Sequence, residues 1–346
     1  MNIKKIGLSA LAGSLAMVSA SAVELAVSGK SEITYLNKDK SSTGNPFGFG
    51  NEIYFKGSGD VNGMTATYYS AIGDGGAVSK FVSSEISLDM GDMGLIGFDQ
   101  GVGSYGVSTI DDKMPYAYEE IWTYTGASNG LRAAGGSNNV IGYKNTLAGY
   151  TLNLEINPGS GGTAAEGLST TAATAAATTG SGDGSSTGAG TTNKGYNWAL
   201  TGSPMDGLSV GAGYGKEEST LTLTTANGTD TEFATGFVTY AIGGATVGYQ
   251  LSEGNGGVAG YASNEAEMYG VSFSVNENLA ISYNVLDNTY KNTAGAADVN
   301  EETTGFGASY TMGSAAVRLL TAQTDNVGGS AGTNEEVTEL SLMLAF

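Results

Sequence analysis

The sequence predicts an all-β fold, a transmembrane antiparallel β-barrel of sixteen strands with short turns at one end and long loops at the other. Three observations predict it. Apolar and polar residues alternate with a period of two, the segments that do so are even in number, and the connections between them alternate strictly between short and long. The composition agrees: 56 Gly and 19 Tyr against 4 Pro favour strands and tight turns over helices. A mean hydropathy of −0.07 fits a sheet with one apolar and one polar face.

The first strand shows the pattern. Leu25, Val27, Ile33 and Tyr35 occupy odd positions, whereas Ser28, Lys30, Glu32 and Thr34 occupy even ones. Fifteen further segments of about 9 to 11 residues follow, the length a tilted strand needs to cross a bilayer. They fall at 49–60, 63–73, 80–90, 93–99, 138–146, 149–157, 193–203, 206–216, 231–241, 244–252, 264–275, 278–287, 301–312, 314–323 and 335–346.

Seven connections are short and rich in hairpin residues: VNG (61–63), MGDM (90–93), TLAG (146–149), SPMDG (203–207), IGG (242–244), NEN (276–278) and MGS (312–314). The other eight are long and polar, among them 37–48, 100–137, 158–192 and 288–300. An even count with both termini on the short-turn side lets the sheet close without an open edge. The 158–192 connection is nearly all Gly, Ala, Thr and Ser, so it is expected as an extracellular loop and not as a domain.

At the start, Lys4 and Lys5 precede an apolar run from Ile6 to Val18 and then Ala20-Ser21-Ala22. This is the pattern of a cleaved export signal over 1–22, leaving a barrel domain over 23–346. Losing those two lysines takes the formal charge from −20 to −22, which argues against nucleic acid as a partner. No later run reaches the ~20 apolar residues of a spanning helix.

Cysteine and histidine are both absent, so thiolate sites, imidazole proton shuttles and the serine-histidine hydrolases are excluded. An acid-pair mechanism would survive, but no pair is specific enough to name. No enzyme activity, cofactor or metal is expected. Gly-Asp-Gly at 182–184 lacks the spaced acidic ligands of a calcium loop.

In the final segment Leu340, Leu342, Leu344 and Phe346 share one face. SSEISLDMGDMGLIGFDQG (83–101), NNVIGYKNTLAGYTLNLEI (138–156) and LSVGAGYG (208–215) add further landmarks, including Asn139, Tyr143, Gly149 and Tyr150. Together these resemble the general diffusion porins of Gram-negative bacteria. Departures are Leu344 and Met93 where an aromatic is common, and Gly142 where Arg often precedes the Tyr.

The resemblance implies several things: an outer-membrane location with periplasmic turns and extracellular loops, passage of small hydrophilic solutes, and a homotrimer. It also implies contact with lipid and lipopolysaccharide, and a last strand (Leu340, Leu342, Leu344, Phe346) read by the barrel assembly machinery. Further, it implies that the third loop, 100–137, folds into the lumen, placing carboxylates opposite basic wall residues. The candidates are Asp111, Asp112, Glu119 and Glu120 on the loop and Lys30, Lys56 and Arg318 on the wall. Parity points the three cations inward, since a charge on the lipid face would cost ~2 to 4 kcal/mol.

Two readings stay open for Asp111 and Asp112, which either line the lumen or cap a short helix from near Met114. Tyr35, Tyr68, Tyr240, Tyr249 and Tyr310 sit near strand ends as interfacial girdles or, alternatively, as a sugar-stacking ladder. The acidic balance and the lack of a basic cluster predict a mild cation preference. A substrate-specific channel, or an adhesin or structural barrel, is the alternative.

Overall fold

The computed structural model describes residues 24–40, 44–74, 79–127, 131, 138–157, 195–217, 230–255, 261–292 and 297–346. The expected export signal (1–22) and the 158–192 loop lie outside the described residues.

Sixteen strands form one closed antiparallel barrel in which each pairs with its sequence neighbours and the first with the last. They are β1 (Glu24–Lys38), β2 (Phe47–Val61), β3 (Met64–Asp74), β4 (Ser79–Asp89), β5 (Leu95–Gln100), β6 (Asn138–Leu147), β7 (Tyr150–Asn157) and β8 (Gly195–Met205). The second half is β9 (Leu208–Glu217), β10 (Thr231–Ile242), β11 (Ala245–Asn255), β12 (Tyr261–Ser274), β13 (Leu279–Asn292), β14 (Val299–Met312), β15 (Ala315–Asp325) and β16 (Glu335–Ala345). Every expected strand is present. Their lengths differ from the expected 9 to 11 residues, since β5 has 6 and β1 and β2 have 15. The long strands extend at the loop end, where pairing continues past the apolar stretch.

All seven short turns stand where the sequence puts them. Asn62 and Gly63 both have positive φ, 55° and 83°, the handedness that matches strand twist in a two-residue hairpin. Ala148 and Gly149 repeat it at 52° and 82°, which strains the alanine.

Closure follows from register. Ile33 pairs with Leu342 and Tyr35 with Leu340, so apolar side chains meet on the outer face of the seam. At its lower end Gly29 and Phe346 exchange two backbone hydrogen bonds, 2.7 and 3.0 Å. A Cβ on Gly29 would come within 2.6 Å of the Phe346 ring, so only glycine admits that approach.

The outward face is apolar. Leu25, Phe49, Ile86, Ile156, Tyr283 and Leu342 all stand exposed there, an arrangement stable against lipid and not against water. Tyr35, Tyr68, Tyr240, Tyr249 and Tyr310 also point outward, which fits a girdle and not a sugar-stacking ladder in the lumen. Above the band, at the loop end, acidic residues on neighbouring strands face one another: Glu253 with Glu265, Glu267 with Asp287, Asp287 with Glu302, and Glu302 with Asp325. They mark where the barrel meets water.

Candidate functional site: the lumen and its inner loop

Loop 3 leaves β5 at Gly101 and turns inward at once. The Asp99 carboxylate accepts the backbone N–H groups of Val102 (2.7 Å) and Ser104 (2.8 Å), which closes a tight turn. The hydroxyls of Ser104 and Tyr105 then donate to Glu85 on β4. The Tyr105 side chain lies over Gly97 and Gly142, where an added Cβ would come within 1.9 Å of its hydroxyl oxygen and 2.0 Å of its ring. The Gly142 departure noted in the sequence thus makes room for a loop aromatic.

From there the chain is tied round the inner wall. Asn197 on β8 accepts the N–H of Val107 at 2.7 Å. Gln250 on β11 holds the loop through both ends of its amide, accepting from the Lys113 N–H and donating to the Ile110 carbonyl, each at 2.9 Å. On β13, Asn284 donates to the Pro115 carbonyl at 3.2 Å and Ser282 accepts from the Ala117 N–H at 3.0 Å. Tyr124 donates to Glu339 on β16 at 2.9 Å. Wall glycines receive the loop's bulk: Gly248 and Gly270 lie under Pro115, and Gly305 lies under Ile121.

The inner wall is therefore not lined throughout by the small and polar residues that parity suggests. Beneath the loop, Met114 and Ile121 pack with Met268, Leu286 and Leu320, and Ile110 packs with Phe237. A soluble-type core sits inside the barrel and holds one loop.

The loop carboxylates lie on the segment so held. No helix begins at Met114; among the described residues the loop makes a 3-10 turn at Gly106–Thr109 and otherwise runs irregularly as far as Ala127. Asp111 is exposed, whereas Asp112, Glu119 and Glu120 are partly buried. Burial, reinforced by the adjacent Glu120, pushes the Asp112 carboxyl up to about 8. Glu119 is raised to about 7, again by burial first and by Glu120 second. For Glu120 burial acts the same way, but hydrogen bonds from Asp112, from its own backbone and from Thr123 outweigh it and hold it low. Thr123 donates at 2.9 Å. Near neutrality Glu120 is charged, Asp112 is mostly protonated and Glu119 is in mid-titration.

All three wall cations face the lumen, in different states. Arg318 is not aimed at the loop carboxylates: it pairs with Glu32 at 2.6 Å and stacks on the Tyr118 ring at 4.4 Å. Lys30 lies 3.6 Å from Glu52. Lys56 is exposed, in register with Tyr69. The wall charges that hold the loop (Glu32, Glu85, Asp99 and Glu339, with the amides Asn197, Gln250 and Asn284) were not singled out from sequence. Their signal was parity, being polar groups on the inward positions of their strands. Among the described residues no group of three potential ligands could hold a metal ion.

A scan against family models finds no match, and a search of curated proteins finds none. Solved structures do match. OmpF of Salmonella typhi, in complex with daunomycin, superposes at TM-score 0.64 with 14% identity, over 94% of this chain and 98% of that one. The anion-selective porin of Comamonas acidovorans gives 0.62 with 18% identity, over 94% and 100%. A mutant of the Rh. blastica porin gives 0.55 with 14%, over 94% and 100%. The chain shares their fold.

Proposed function

We propose that this chain is an outer-membrane porin of a Gram-negative bacterium, a water-filled channel for passive diffusion of small hydrophilic solutes and ions. The observation that carries the reading is loop 3, which runs inside the barrel and is tied to its wall by hydrogen bonds to β8, β11, β13 and β16. A barrel serving only as an anchor has no use for a loop docked within it. A diffusion channel does, because a fixed internal loop sets the cross-section.

Loop 3 is the constriction in this reading, with Asp111, Asp112, Glu119 and Glu120 lining it. The mild cation preference rests on these acids and on the pairing of two of the three wall cations, since Arg318 and Lys30 each have an acidic partner. The name of the Comamonas porin describes the opposite preference for that protein. Solute passage needs no catalytic residue, and the chain is read as a non-enzyme. The outer face fits lipid and lipopolysaccharide, β16 with Phe346 serves the assembly machinery, and the assembly is a homotrimer with one pore per subunit.

Single-channel conductance and reversal potential in a planar bilayer under a salt gradient test this. Expected are stable conductance steps with cation preference, weakened when Asp111, Asp112, Glu119 and Glu120 are replaced together by Asn or Gln. A well-folded barrel that passes no current would leave the anchor or adhesin reading.

A further inference from the structure

We infer that Tyr54, Tyr69 and Lys56 form a contact site on the lumen wall for ring-bearing carboxylates, with benzoate as the simplest example. The inference rests on the reading of the barrel as a channel. Its position comes from register: Lys56 pairs with Tyr69, and Tyr69 pairs with Glu85. Glu85 is the residue that holds Ser104 and Tyr105 as loop 3 turns inward. The three side chains therefore share the inner face with the residue that holds the start of loop 3, on β2 and β3, while the loop's anchors lie on other strands.

The two tyrosine rings are stacked, with centroids 6.2 Å apart and planes 22° from parallel. Tyr54 is fixed further by its hydroxyl, which donates to Glu52. Glu52 also pairs with Lys30, so the Lys30 charge is already balanced. Lys56 supplies the open cation, since it is exposed and lies on the same face as Tyr54, two residues along the strand. That spacing is about 6 to 7 Å, comparable with the roughly 3.7 Å from the ring centre of benzoate to a carboxylate oxygen plus the roughly 2.8 Å of a hydrogen bond from the ammonium to that oxygen. A ring lying against the tyrosine stack can then bring its carboxylate to the ammonium. A ring-free anion gains only the charge, and the acidic loop disfavours it.

The test compares benzoate with acetate on the folded protein, in two measurements. In planar bilayers, benzoate is expected to reduce or interrupt the single-channel current more than acetate at equal concentration. The excess should fall about two- to tenfold in the Tyr54→Thr/Tyr69→Thr double variant, the range of an aromatic pair, and should also fall in Lys56→Gln. Saturation-transfer NMR in detergent reads ring contact whether or not the barrel conducts. Benzoate signals from wild type that weaken in both variants support the site even if no current flows, a result that would sink the channel reading alone. Equal effects of benzoate and acetate on the current, or benzoate contact unchanged in the variants, would overturn the inference. Threonine and glutamine suit a strand position facing water, and strand content by circular dichroism checks that each variant is folded.

Discussion

Asp112 and Glu119 are carboxyls whose titration is drawn up to about 8 and about 7, by burial first and by the neighbouring Glu120 second. Two consequences run in opposite directions. Ionising them adds negative charge beside the lumen, so cation preference should rise between about pH 6 and pH 9, and reversal potentials across that range should show it. The Asp112→Asn variant should flatten the upper part of the rise. For stability, a carboxyl with a raised folded value favours the folded state most below its unfolded range, near 4, and loses that contribution as pH rises through about 8. Loop 3 should therefore be held less firmly at alkaline pH, visible as faster amide exchange in residues 110–120. Gly142 makes the complementary steric point. A Cβ there would sit 2.0 Å from the Tyr105 ring, so Gly142→Ala should displace the start of the loop and cost about 1 to 3 kcal/mol. Pairing it with Tyr105→Ala should recover part of the loss, which a double-mutant cycle of unfolding free energies would measure.

At the level of elements, strands and turns were legible because each is specified locally. The period of two assigns faces, and Gly, Asn and Asp at the turns assign hairpins. The Ala148 turn is the exception that can be improved: its φ of 52° is costly for alanine, and Ala148→Asn should stabilise the β6–β7 hairpin by roughly 0.5 to 1 kcal/mol in denaturant titrations. Opposed acids at the loop end are a second local conflict. Asp287 faces Glu267 on one side and Glu302 on the other, and like charges directly opposite destabilise a sheet by about 0.2 to 1 kcal/mol each. Asp287→Asn should raise the unfolding temperature at low salt and do less at high salt, where screening already relieves the repulsion. The docking of loop 3 was legible only through resemblance. Its anchors lie far away in sequence, with Lys113 bonded to Gln250 and Tyr124 to Glu339, and no local periodicity reports such pairs. Parity placed Arg318 on the inner face, but its partner Glu32 lies at the other end of the chain and only the closed barrel brings the two together.

Over the whole molecule, that same closure joins three things that the sequence keeps apart. Glu32 belongs to the first strand, Arg318 and Ser341 to the last two, and Tyr118 to the loop inside. Arg318 donates to Glu32 and Ser341, Ser341 also donates to Glu32, and Tyr118 reaches Glu32 at 3.3 Å while its ring lies under the guanidinium. One network thus fastens the seam and loop 3 together. Removing the arginine alone leaves Glu32 inside the barrel without its charge partner, a change worth on the order of 3 kcal/mol in a mostly buried pair. Arg318→Met should accordingly lower the unfolding temperature and also increase open-channel current noise, since Tyr118 loses the group it stacks on. If the seam and the loop were held independently, the noise and the stability would separate across variants. A shared network requires them to move together: Glu32→Gln added to Arg318→Met should restore much of the stability by removing the stranded charge, and should quieten the channel in the same measure.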